Sequence, residues 1–573
     1  VRNGENMTEA ERNQILSEDY IDIIVDYRNN PELLEVYPEA IVHIMDPMFA
    51  VLHFPYDPAR ISRVGSYGYT AIPNVYGLTS QVSLQASRVP EILQIPTLNL
   101  RGQGTLIAII DTGIDYTNPV FIRPDGTTKI RAIWDQTIQS VDGAPYHTGF
   151  GTEYRAEQIN EALESENPLE IVPSIDENGH GTMMAAVAAG NLIPEENFSG
   201  VAPEAELVII KLKPAKQNIK EFLAIPEDVL CFQENSIMWG IQYGFQLARE
   251  LAKPIVFCLG LGSSQGSHEG RGPLAVMMNL LGNIPNTVFV TSMGNEGNLG
   301  RHYRGIIDTA NQYDTMDLIV GEQDKFFSLE IWGDAPGIYS IDILSPSGEY
   351  IPRIAVSITL DRTISFIFER TLIYIHYHTV ESETGDQLIL LRFQNAAPGN
   401  WRFRVYGQGD LSTGFHAWLP MGDFISTETY FLRPDIYTTI LNPGTAEVPI
   451  TVTAYNPIGG NLYINASRGF TRNNQVKPDI AAPGVNYIAP NQNKEFVTYS
   501  GTGVAAAHTA GIVAMLLEWG IVRGNYTSFA SIEIKNFLIR GARRSPNLTY
   551  PNRDWGYGIL DIFRAFDVLR RDQ

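Results

Sequence analysis

Three short segments carry side chains that can move protons. The first is Ile109-Ile110-Asp111-Thr112-Gly113-Ile114-Asp115, in which Asp111 closes an apolar run. The second, Asn178-Gly179-His180-Gly181-Thr182, opens a small-residue stretch that ends near Gly190. The third runs from Tyr499 through Ser500-Gly501-Thr502-Gly503-Val504 to His508-Thr509-Ala510-Gly511 and opens a second small-residue helix. A carboxylate and an imidazole are the usual general acid–base groups. Asp-Thr-Gly also marks aspartic proteases, which need two carboxylates of the same kind. No second Asp-Thr-Gly occurs, so that chemistry is set aside. Blander roles stand beside the catalytic one: Asp111 capping a turn, His180 filling a core, Asn295 bracing its own loop, and Cys258 buried in a strand.

The surrounding pattern predicts what must position these groups. Thr105–Ile110, Leu207–Ile210, Ile255–Leu259 and Thr287–Val290 are continuous apolar runs, with helical stretches at Met183–Ala189 and Ser236–Leu251 between them. Apolar strands alternating with helices imply a parallel sheet covered on both faces. Functional residues then gather at the carboxyl ends of the strands. Ahead of this α/β region, Tyr20–Tyr27, Ala40–Met45 and Phe49–Phe54 read as strands of a small α/β unit, with a short helix over Pro31–Tyr37. Residues 1–17 read as a mobile polar tail, and Gly77–Gln81 as an exposed linker. Between about 305 and 435 the pattern becomes aromatic and alternating, as in Phe326–Trp332, Leu372–His378 and Trp401–Tyr406. That is the mark of an all-β sandwich inserted into a loop of the α/β host. Its short flanks, Arg301–Asp308 and Pro434–Pro443, predict a domain that packs on its host through aromatic side chains and stands away from the cleft.

Composition narrows the function. The chain has 573 residues, 44% hydrophobic, which is ample material for a large core. A net charge of −23 argues against binding nucleic acid or an anionic membrane. Two cysteines, Cys231 and Cys258, exclude a disulfide framework. Val1–Tyr20 has no apolar core of a signal peptide, and no run of about 18 apolar residues predicts a membrane span. No cofactor and no clustered metal ligands are expected.

The three segments, their order and their context resemble the subtilisin-like serine proteases, in which the catalytic residues run Asp, His, Ser along the chain. Ser292-Met293-Gly294-Asn295-Glu296-Gly297 and Lys477-Pro478-Asp479-Ile480-Ala481-Ala482-Pro483-Gly484 extend the resemblance. It implies His180 as general base, Asp111 orienting its imidazole, and Asn295 donating to the oxyanion. It also implies Gly260-Leu261-Gly262 as the edge that pairs with substrate. The expected organisation is a tail (1–17), an α/β prodomain (18–80), a subtilisin-like core in two parts (81–304 and 436–573), and between them an inserted jelly-roll sandwich (305–435).

One position departs from the family pattern. After Gly501-Thr502 the family has its nucleophilic serine, and here Gly503 stands there. His508 and Ala510-Gly511 keep the spacing, so no shift of register supplies a serine. Two accounts follow: a natural pseudoprotease, or an active endopeptidase whose serine has been replaced by Gly503. The order of domains, with Ser467–Arg472 and Leu516–Val522, resembles the Csp germination proteases of spore-forming clostridia. That likeness implies the chain's own prodomain in the cleft and a partner such as a cortex-lytic zymogen or another Csp-type protein. It also implies a role in spore germination and a location inside the cell, within the spore.

Overall fold

The computed structural model describes residues 9–57, 68–83, 100–140, 143–145, 148–356, 359–408 and 412–571. The host is built on an eight-stranded sheet. Its order is Ile480–Pro483, Ile450–Tyr455, Thr287–Ser292, Ile255–Leu259, Leu106–Asp111, Glu206–Lys211, Ile130–Asp135 and Thr152–Arg155. All neighbours are parallel except the last pair. The inner strands are buried along their whole length, which is why their sequences are unbroken apolar runs.

Helices His180–Ala189 and Thr502–Leu517 share one apolar core with one face of the sheet. Their alanines and glycines let them approach closely. A side chain at Gly511 would meet Val201 Cβ at 2.6 Å and Ala188 O at 2.7 Å. The helical run Thr502–Val522 is long and apolar enough by composition to cross a bilayer, but 83% of its apolar 18-residue stretch is buried inside the protein. Helices Glu234–Glu250 and Pro273–Leu281 contribute to the core on the other face.

The N-terminal unit is a three-stranded antiparallel sheet, Tyr20–Asp26, Phe49–Pro55, Ile41–Ile44. It is buried on both faces. Ile24, Phe49 and Val51 join the core around Trp239, while Ile21, Ile23 and Leu52 join a cluster with Phe222, Trp332 and Trp418. The polar tail expected at the start is in part a helix, Glu9–Leu16, held by the buried Ile15; residues 1–8 lie outside the described residues. So do residues 84–99, the start of the expected core.

The inserted region forms two antiparallel sheets of six and five strands between His302 and Phe431, closed over a common core that includes Trp401, Phe393 and Phe327. It is bolted to its neighbours. The Arg472 side chain, 3% exposed, reaches from the host to Asp334 (3.3 Å) and Asp386 of the insertion. Trp332 is 1% exposed, donates its indole N–H to Glu330 (3.0 Å) and meets the Tyr69 ring edge-on at 5.8 Å. Tyr69 belongs to the N-terminal region and Arg472 of the host stands 5.7 Å over the same indole, so this one side chain joins three parts of the chain. Trp332→Ala should cost about 3–5 kcal/mol through the cavity it leaves. The check is a thermal melt, with limited proteolysis at both flanks; an unchanged midpoint and unchanged flanks would refute the bolted interface.

Candidate active site

Asp111 ends its strand, and His180 is the first residue of its helix, entered through Gly179 at φ +87°. The two side chains meet at the carboxyl end of the sheet. His180 Nδ1 lies 2.8 Å from Asp111 Oδ1, and both residues are at most 5% exposed. Asp176 fixes the turn that presents the imidazole: its carboxylate accepts from the N–H groups of Gly179 (2.8 Å) and Thr182 (2.9 Å) and from the Thr182 hydroxyl (2.7 Å). Burial opposes a charge on His180, but the neighbouring Asp111 charge and hydrogen bond outweigh it, and the imidazole pKa is raised above its usual 6.5. The other ring nitrogen, Nε2, is buried and has no hydrogen-bond partner.

Asn295 and Gly503 meet at the Thr79 backbone, and Gly260, which pairs with Thr79, lies against the His180 ring. The Asn295 side-chain oxygen accepts from both the backbone N–H and the hydroxyl of Thr502, each at 3.1 Å. Its amide nitrogen is therefore free to point outward, and it donates to Thr79 O at 2.5 Å. The Gly503 N–H, in the first turn of its helix, donates to the same oxygen at 3.3 Å. One peptide carbonyl of the chain is thus gripped by two converging donors, a polarising arrangement that a helix N-terminus reinforces.

The segment before that carbonyl is a strand, Val75–Leu78, pinned on both sides. Tyr76 pairs with Phe232 and Val75 with Gln233 on one edge; Leu78 pairs with Leu261 and Gly77 with Gly262 on the other. The Thr79 N–H continues the ladder to Gly260 O at 3.0 Å. A side chain at Gly260 would meet Met184 Cε at 2.7 Å and His180 Cε1 at 3.1 Å, and so would crowd the imidazole. Beyond Thr79, Ser80–Ser83 pairs antiparallel with Phe496–Gly501, the strand that leads into Gly503. The expected exposed linker at Gly77–Gln81 is therefore wrong: Gly77 and Thr79 are buried, and the segment is a ladder strand between elements distant in sequence. The insertion does not stand clear of this place either. Met421 and Phe424 lie directly against Gly77.

Of the seven residues singled out in the sequence, Asn295, Gly503, Gly260, Leu261 and Gly262 bond to Val75–Thr79, and the Asp111–His180 pair adjoins it through Gly260. Sequence reasoning assigned no role to Thr502, which orients Asn295, and missed the Phe232–Gln233 edge and Met421 and Phe424. Cys258 is buried, and burial foremost raises its thiol pKa, which suits packing. His508 is buried beside the Tyr487 hydroxyl at 3.5 Å, and burial pushes its pKa down to about 4. Among the described residues no group of three or more His, Cys, Asp or Glu could hold a metal ion.

The profile of the peptidase S8 subtilase family matches residues 102–325 and 434–558, on either side of most of the two-sheet insertion. The chain belongs to the subtilase family. Its fold resembles that of the CspB protease of Clostridium perfringens, with a TM-score of 0.74 at 30% identity over 85% of this chain and 97% of that one. Among other subtilases, subtilisin-like protease SBT1.9 of Arabidopsis thaliana is 25% identical over 471 residues, 73% of this chain. The PII-type proteinase of Lacticaseibacillus paracasei is 22% identical over 535 residues, 82% of this chain. The chain spans 57% of the length of the plant relative and 26% of that of the bacterial proteinase. This is a subtilisin-like serine protease scaffold of Csp type.

Proposed function

We propose that this chain is a Csp-type pseudoprotease: it holds a peptide strand in the substrate groove, cannot cut it, and serves as a regulator in the proteolytic activation of a cortex-lytic zymogen during spore germination, inside the spore. The observation that carries this reading is the Thr79 carbonyl. It takes hydrogen bonds from Asn295 and from the Gly503 N–H, while His180 presents an unpartnered Nε2 and position 503 offers no hydroxyl to it. In this reading Val75–Thr79 is the end of the prodomain lying as substrate, and Thr79–Ser80 is the bond that a serine at 503 would attack. A base without a nucleophile leaves binding and polarisation but no acyl transfer. Its protein partners are of the kind the resemblance implies, a zymogen or another Csp-type chain.

The purified chain should keep one continuous mass, with no cut at Thr79–Ser80, and should take no label from a fluorophosphonate. Spontaneous cleavage there, or labelling, would overturn the reading. The intact Asp111–His180 pair favours a second reading, an active endopeptidase whose serine has been replaced by Gly503; a serine codon at 503 in the encoding gene decides for it.

Asn295 carries its own prediction. In a chain given serine at 503, Asn295→Leu should slow self-cleavage about 10²–10³-fold, the magnitude known for the oxyanion asparagine of subtilisin itself. Refolding time courses read by mass spectrometry check it. Equal rates would remove Asn295 from the oxyanion site.

A further inference from the structure

The groove is closed over by a part of the molecule that the protease fold does not require. The turn Gly422–Phe424, at the end of the inserted sandwich, lies on the Val75–Leu78 strand. A Cβ added at Gly77 would meet Phe424 Cε1 at 3.0 Å, and Phe424 Cζ and Met421 Cε at 3.3 Å each. The Gly77 backbone is not in the left-handed region, so an L side chain meets no conformational barrier there; the obstruction is the two side chains above it. Met421 and Phe424 are 2% and 4% exposed, so neither is free to swing aside into solvent.

The turn is also anchored. Arg301 donates to the carbonyls of Gly422 (2.6 Å) and Ile425 (2.8 Å) and pairs with Glu296 at 3.3 Å. Glu296 in turn accepts from the Gly422 N–H at 3.2 Å. Glu296 follows Asn295 directly, so the roof and the oxyanion donor are tied to one segment. On the host side, the Ser264 hydroxyl donates to Leu419 O at 2.9 Å.

The neighbouring positions are equally particular. Tyr76 is 1% exposed, in one cluster with Phe232 and Leu274; burial foremost, with the neighbouring Glu234 charge, raises its hydroxyl pKa. The Glu234 carboxylate accepts from the N–H groups of Asn74 and Leu274, each at 3.1 Å. Thr79 is 1% exposed; its hydroxyl donates to Gly260 O at 2.6 Å and sits 2.9 Å from Ser292 Oγ. Leu78 alone is half-buried.

We propose that the inserted sandwich is the specificity element of this groove: Met421 and Phe424 roof the third position of the bound strand, so the groove accepts extended protein segments of the class aromatic hydroxyl, glycine, aliphatic, small hydroxyl, as in Tyr76-Gly77-Leu78-Thr79. This rests on the reading of Val75–Thr79 as a groove-bound strand. A cleft without the roof would face the third side chain with solvent and tolerate many residues there. A tight steric wall rejects larger ones, because overpacked contacts in buried sites are costly.

The test is amide hydrogen exchange of residues 75–79 in the full-length chain, which needs no activity. With the roof intact, exchange should rise at least tenfold in Gly77→Leu and about threefold in Gly77→Ala. In a Met421→Ala/Phe424→Ala background, chains with Gly, Ala or Leu at 77 should exchange within threefold of one another. If Gly77→Leu does not fold with the roof present, the Gly77→Ala comparison carries the test, since its neighbours need yield by only a few tenths of an ångström. Protection of 75–79 that ignores residue 77 in the roofed chain, or loss that roof removal does not reverse, would overturn the roof. Absence of protection in the parent chain would overturn the groove reading itself, and the roof with it.

Discussion

Gly503→Ser should convert the inert chain into one that cuts itself between Thr79 and Ser80. The geometry leaves little else to supply. A serine hydroxyl at the start of the Thr502–Leu517 helix needs a base, and His180 presents a buried Nε2 with no other partner. It would attack the Thr79 carbonyl carbon and pass its proton to Nε2. The oxyanion would form where Thr79 O already takes hydrogen bonds from Asn295 and from the backbone N–H of residue 503. Collapse would return the proton to the Ser80 nitrogen and leave Thr79 as an ester on the serine, which water then hydrolyses. In subtilisin, a member of this family, loss of the serine costs about 2 × 10⁶ in turnover. A gain of similar order is expected here, since the helix dipole and both donors are untouched by the substitution. Mass spectrometry should find fragments 1–79 and 80–573, and a fluorophosphonate should label residue 503. A folded variant that stays whole and unlabelled would show that the Asp111–His180 pair has drifted out of working geometry, and would separate this chain from the proteases of its family.

Much of that geometry could be read from the sequence because it is local. Asp111 ends a buried apolar run, His180 follows a glycine turn, and Asn295 and Gly503 lie in short motifs whose neighbours carry their meaning with them. The parallel sheet was legible for the same reason: strands covered on both faces have unbroken apolar sequences. What was lost depends on partners far along the chain. Gly77-Leu78-Thr79-Ser80-Gln81 is small and polar, the composition of a turn, yet Gly77 and Thr79 are buried and the segment is strand, because Gly260–Gly262 and Phe496–Gly501 take up its backbone groups. Hydrogen bonding to a distant edge leaves no periodicity to find. Met421 and Phe424 were invisible for a related reason. They read as the end of a sandwich, and only the fold brings that end over Gly77.

Asp22→Ala should undock the N-terminal unit, and acid should do the same by degrees. Asp22 is 1% exposed and completely enclosed by polar partners. One carboxylate oxygen meets Lys216 Nζ at 2.7 Å and His53 Nδ1 at 2.8 Å; the other accepts from Asn235 at 3.0 Å and Gln233 at 3.2 Å. Burial alone would raise its pKa, but Lys216 and His53 outweigh burial and hold it well below 3.8. Alanine here strands the Lys216 ammonium, itself 3% exposed, at a cost of about 3–5 kcal/mol. The pH dependence has two stages. Burial foremost keeps His43 and His53 below their usual 6.5. Bases with depressed folded pKa values bind protons more readily in the undocked state, so their contribution is present above pH 6.5 and is lost as pH falls below it. Asp22, a depressed carboxylate, withdraws its share only as pH falls from 3.8 downward. His43 makes the first stage steep: both its nitrogens are buried without partners, its ring packs 4.2 Å from Trp239 of the host, and His53 lies 6.0 Å away. The effect reaches the groove, because Gln233 binds Asp22 through its side chain and pairs with Val75 through its backbone. Exchange of residues 20–26 and 75–79 should therefore rise together, both in Asp22→Ala at pH 7.5 and in the parent between pH 6.5 and 5. A parent whose exchange, corrected for its intrinsic pH dependence, stays flat across that interval would refute the histidine stage; an Asp22→Ala chain with parental protection would refute the buried ion pair as the clasp that joins the N-terminal unit to the groove.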